Sequence, residues 1–112
     1  MKDKTLLALT FIRNYVFTLP EVTERLSFET PAFYVQNKMF ARLKEGEEEL
    51  VIHTIVRENW MAIDPLTFYI NPHFLKYNYM MINLDRVEPD ILMKLLLIAW
   101  MDRAPKKLLK LI

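Results

Sequence analysis

The stretch from Ser27 to Leu43, SFETPAFYVQNKMFARL, leaves this chain few folds to choose from. It reads as two short strands joined by a tight turn, and later segments have the composition to pair with it or cover it. Pro31 turns the incoming chain. Phe33 and Val35 then alternate with Ala32 and Tyr34, the period of two that a half-buried strand requires. Gln36-Asn37-Lys38 is the turn, and Asn37 suits a positive φ because its short amide bonds locally and tolerates the left-handed region. The return strand places Met39, Ala41 and Leu43 on one face and Phe40 and Arg42 on the other.

Around this hairpin the periodicity changes. Residues 4–17 carry Leu6, Leu9, Ile12 and Val16 at helical spacing, with Leu7, Phe11 and Tyr15 on a second apolar face and Asp3 placed to cap. Pro20 ends that helix. Val22, Glu24, Leu26 and Phe28 alternate, which predicts a first strand over 23–28. Gly46, the one glycine of the chain, sits in the next turn. The β-branched run 50–55 returns onto 39–43 and completes a three-stranded meander. A short helix over 57–63, an extended piece at 68–70 and a strand over 79–84 follow. Pro89 and Asp90 then open a helix that is apolar from Ile91 to Trp100 except at Lys94, so it should cross the sheet centrally. Met93 and Leu97 need a second neighbour, either the first helix or another subunit. Pro105 precedes a short basic turn. Strands clustered between helices imply an α+β, two-layer domain spanning 1–112, with an antiparallel sheet of about five strands: the meander plus one or two later strands. A monomer is expected, and a homodimer through Phe11, Tyr15 and Phe17 is the alternative.

Most reaction classes find no residues here. Without cysteine there is no thiolate metal site, disulfide or cysteine nucleophile, which fits a reducing, cytoplasmic setting. No apolar run has the length of a membrane span, and no leader-like cleavage site follows the first apolar segment. One glycine excludes a phosphate-binding glycine loop. His53 and His73 stand twenty residues apart without a carboxylate at ligand spacing, so neither metal nor cofactor is expected. No hydroxyl has an evident base, so the chain reads as a non-enzyme. The acidic run Glu45, Glu47, Glu48, Glu49 reads as a solvated tip rather than a calcium loop. Fifteen basic and 14 acidic side chains leave a net charge of +1, so nucleic-acid binding would require a local patch. Two segments offer one: the aromatic loop 71–79, with His73, Lys76 and Tyr77, and the basic terminus with Lys106 and Lys107.

Five pieces in register, LP-x-V at 19–22, TPAFYV-x-NK-x-FARL at 30–43, DP-x-TFYI at 64–70, H-x-x-x-Y at 73–77 and APKKL at 104–108, resemble the MmcQ/YjbR family. The resemblance implies a compact two-layer fold like that of secretion chaperones and a DNA-binding role described as a double wing, with no catalytic residues and no cofactor. It places Lys38 and Phe40 on the family hairpin, His73 and Tyr77 on its aromatic loop and Pro105-Lys106 in its C-terminal signature. Where the family favours glycine, this chain has Asn37 and Lys76; where the last strand often carries arginine, it has Asn83. The expected function is a binding domain for nucleic acid, duplex DNA, contacted by Lys38, Arg42, His73, Lys76, Tyr77, Lys106 and Lys107. The alternative is a protein-interaction or chaperone-like module working through apolar helix faces.

Overall fold

Ser27 pairs with Thr30 and Val35 with Lys38, so the first two hairpins each turn on two residues alone. Such a connection matches the right-handed twist of its strands when both residues take positive φ. Phe28 and Glu29 (φ 51° and 66°) and Gln36 and Asn37 (46° and 69°) do so without a glycine. The second turn thus ends before Lys38, which is the first residue of a strand.

In the computed structural model, which describes residues 2–46 and 48–112, the chain runs α1 (Asp3–Val16), β1 (Val22–Ser27), β2 (Thr30–Val35), β3 (Lys38–Leu43), β4 (Glu49–His53), α2 (Arg57–Ile63), β5 (Phe68–Tyr69), a 3-10 turn (Pro72–Phe74), β6 (Tyr79–Asn83), α3 (Pro89–Arg103) and α4 (Lys106–Leu109). The strands form one antiparallel sheet in the order β1-β2-β3-β4-β6-β5. The α+β, two-layer class is as the sequence implies. The sheet holds six strands instead of about five, because the meander has four strands: β1 and β2 are separate strands about Phe28-Glu29. Phe28 is therefore a turn residue, not the end of β1, and Pro31, expected to turn the chain, lies within β2 opposite Leu26.

Helices cover one face. Leu9, Ile12 and Val16 of α1 and Leu92, Leu95, Leu96, Ala99 and Trp100 of α3 share a core with Phe33, Val35, Ala41, Leu50, Ile52, Met80 and Ile82. As expected, α3 crosses the central strands β3 and β4, and it also meets α1; Leu97 is partly buried against the core, while Met93 is left 37% exposed. Lys94, the one break in its apolar run, sets its ammonium 5.9 Å from the centre of the Trp60 ring on α2. In α1 the buried stripe starts at Thr5, leaving Leu6 half exposed, and Asp3 sits in the first turn instead of capping it. There its charge still favours the helix dipole.

β2 is buried at all six positions instead of on one face. On its far side the Arg25 guanidinium lies 3.9 Å from the centre of the Tyr34 ring. The strict alternation expected in β3 is also broken. Phe33 pairs with Ala41 but Tyr34 with Met39, so Phe40 is an extra residue in a β-bulge. The bulge brings Phe40 into the helix-side core beside Ala41 and leaves Met39 with Arg42 on the opposite face.

The φ of 69° at Asn37 makes a stability prediction. Asn37→Gly should be neutral or slightly stabilising, because glycine carries no steric cost there. Asn37→Val should cost about 1–2 kcal/mol. Urea titration of both variants checks this, and equal tolerance would place the turn elsewhere.

Candidate functional site

The face of the sheet away from α1 and α3 is covered only in part, by the loop between β5 and β6. Phe74 on that loop is buried against Val51 and Met81, with Tyr69, Ile70 and Tyr79 packed around them. What holds the loop down is Arg57, at the start of α2. Its guanidinium donates to the carbonyls of Phe74 (2.9 Å), Leu75 (3.1 Å), Tyr77 (2.5 Å) and Tyr79 (3.0 Å). A loop with little regular structure needs partners for its backbone, and one arginine fork supplies four of them.

Between this loop and the β1–β2 and β3–β4 turns lies an open cleft of about 360 Å³. Val51 and Tyr79 line it from the sheet, Phe74 and Tyr77 from the loop, and Phe28 from the β1–β2 turn. Arg42, Lys44 and His73 bring nitrogen donors to the same space, and Glu45 brings a carboxylate. Arg42 is 7% exposed, and its guanidinium donates to Glu45 at 2.6 Å and stands 5.0 Å from the centre of the Phe28 ring. That bond, aided by Glu45's own backbone N–H, holds the Glu45 carboxyl below its ordinary value. Lys44 is half-buried and free of ion pairs among the described residues. His73 is exposed, with its ring 5.6 Å from Phe74 and 6.5 Å from Tyr77.

Of the seven residues marked by the sequence, Arg42, His73 and Tyr77 thus meet in one cleft. Lys76 is exposed on the same loop but does not line the cleft, and Lys38 is exposed at the start of β3. Lys106 and Lys107 are exposed on α4, whose Leu108 joins the helix-side core, so they belong to the other layer. Phe28, Lys44 and Arg57 went unmarked. Phe28 continues a strand pattern, Lys44 stands alone beside an acidic run, and nothing in a local window joins Arg57 to carbonyls some twenty residues away.

The acidic tip is not simply solvated. Glu45 holds Arg42, Glu48 pairs with Lys2 at 3.1 Å, and Glu49 accepts a short hydrogen bond from the Tyr69 hydroxyl, while Glu47 lies outside the described residues. Among the described residues no three His, Asp or Glu side chains are grouped to hold a metal ion. No helix among them is long and apolar enough to cross a membrane.

His53 lies at the end of β4, 7% exposed, with its ring edge-on to Tyr79 at 5.7 Å. Its Nδ1 is 3.6 Å from an Asp102 carboxylate oxygen, too far for a hydrogen bond. Burial, and then the charge of Arg103, push its pKa below the ordinary 6.5, with Asp102 pulling the other way. The imidazole is therefore buried neutral. As pH falls below 6.5 the unfolded chain takes up a proton that the folded chain resists, so stability is full above that value and declines below it. Melting temperatures across this window should fall less steeply for His53→Gln than for the parent chain. Parallel slopes would refute the assignment.

A family model described as YjbR matches residues 17–101. The crystal structure of Deinococcus radiodurans protein DR2400, described with the domain DUF419, is similar at 21% sequence identity with a TM-score of 0.75. The likeness covers 88% of this chain and 80% of that one. At that identity it is a likeness of fold. No curated protein matches the chain.

Proposed function

The chain belongs to the YjbR family, and from that premise we propose that it is a small non-enzymatic binding domain whose partner is nucleic acid. The observation that carries this reading is the cleft on the sheet face opposite the long helices, where Arg42, Lys44 and His73 converge with Phe28, Phe74, Tyr77 and Tyr79. Cations interleaved with aromatic rings suit a polymer that alternates phosphates with flat bases. Lys76, exposed and without ion pairs among the described residues, adds a cation on the same loop, whereas Lys38 pairs with Val35 on the helix-side face of the sheet. With a net charge of only +1, attraction must come from this local grouping.

Binding of labelled DNA across a salt series tests the reading. If phosphates are contacted, log affinity falls linearly with log salt, by about 0.7 to 0.9 per contact for single and double strands respectively. Lys44→Gln with Lys76→Gln should flatten the slope by about two contacts, whereas Lys106→Gln with Lys107→Gln should leave it unchanged. No binding at low salt, or binding indifferent to salt, would sink the proposal.

A groove between α1 and the start of α3, lined by Leu7, Phe11, Val87 and Leu92, favours the protein-interaction reading instead. Leu7→Asp would abolish that activity and leave nucleic-acid binding intact.

A further inference from the structure

Phe28 is a bulky residue held at φ 51°, where side chains other than those of Gly, Asn and Asp meet a steric penalty. Burial does not offset the penalty, because the residue is 73% exposed. The two-residue turn sets the positive φ but does not call for an exposed aromatic ring there, so the choice of phenylalanine points to use rather than to stability. The ring stands at the mouth of the cleft, with the Arg42 guanidinium beside it. Tyr77, 56% exposed, and His73 are the other solvent-open rings among the residues lining the cleft, while Phe74 is buried beneath.

We infer that the cleft takes one unpaired base of a single-stranded nucleic acid, stacked on Phe28 and Tyr77, with Lys44 at the adjoining phosphate. The inference rests on the nucleic-acid reading above and narrows it. In a duplex the base faces are already stacked on one another, so the rings would meet only sugar and phosphate. A duplex also brings about one charge per 1.7 Å of its axis. Here that charge would run against Glu45, while Arg42 is already engaged by the same carboxylate. An unpaired base offers a free π face to a ring and needs few cations, which is what the cleft provides. An unpaired base next to a phosphate is common to DNA and RNA, so both enter the test.

Fluorescence anisotropy at low salt with oligo(dT), oligo(U) and a duplex, each of about 12 nucleotides, decides between the forms. One or both single strands should bind at least about tenfold tighter than the duplex, a margin within what stacking of one base supplies. Phe28→Gly should lose about tenfold or more in single-strand affinity while its melting temperature holds or rises, because glycine relieves the backbone. A ring kept only for the fold would leave the affinity unchanged and lower the melting temperature. Tyr77→Leu, exposed and mild, provides a second variant with the same expected loss. Equal or tighter duplex binding overturns the single-strand inference and leaves the nucleic-acid reading standing, whereas no binding to any of the three overturns both. Wild-type affinity in both ring variants overturns the stacking assignment.

Discussion

Arg57→Ala should free the loop over 71–79 from the sheet and cost about 3 kcal/mol of stability. The side chain is 13% exposed at its position on α2, and two guanidinium nitrogens serve four carbonyls. One of those nitrogens has two protons for three acceptors, so at least one of its bonds is shared. A hydrogen bond from a charged donor contributes about 1.5–3 kcal/mol, but shared bonds do not add. Water can also reach part of this loop once the arginine is gone. Both effects keep the total near that of one or two strong bonds. Arg57→Lys should recover little, because an ammonium is a point donor and cannot span carbonyls arranged around a planar fork. Hydrogen exchange gives the local readout, with protection lost at 74–79 before the rest of the sheet opens. Since the loop also carries His73 and Tyr77, binding at the cleft should weaken with it. Unchanged protection in Arg57→Ala would mean that Phe74 alone anchors the loop.

How far the fold can be read from the residues follows from how local its causes are. The turn at Gln36-Asn37, the short helix over 57–63 and the proline-led start of α3 each depend on a few neighbouring residues, and each is where the spacing puts it. The β-bulge at Phe40 was not legible, because an alternating pattern gives no sign that one residue will be skipped. The same holds at Phe28, where a hydrophobic residue continued the strand period while the backbone was already turning. Burial of Arg42 depends on Glu45 and Phe28 arriving from two other turns. At the site, the aromatic loop announced itself by composition. Which cations it would share a surface with depended on which side of the sheet each element packed, and that separates Arg42 and His73 from Lys106 and Lys107. The division follows from α4 carrying Leu108 into the helix-side core, a tertiary choice that a run of lysines does not reveal.

The largest loss is expected at Trp100, whose place at the end of the apolar run was visible but whose partner was not. The side chain is fully buried, and its indole N–H donates to the Pro20 carbonyl at 3.1 Å, joining α3 to the chain just ahead of β1. Trp100→Ala removes the largest of the fully buried side chains from beneath the helices, and substitutions of this kind cost about 3–5 kcal/mol. It also leaves a carbonyl without its donor, adding about 1 kcal/mol if water cannot reach it. Domains of this size have about 5–15 kcal/mol in all, so the loss ranges from about a third of the stability to the whole of it. Trp100→Phe separates the two contributions, since it keeps most of the volume and removes the N–H. Its expected cost is about 1–2 kcal/mol. Trp60, the other tryptophan, sits edge-on to Phe68 at 5.4 Å and reports unfolding by fluorescence in both variants. A urea midpoint for Trp100→Ala close to that of the parent would show that α3 does not need this anchor. A Phe variant as damaged as the Ala variant would assign the loss to the hydrogen bond instead of to packing.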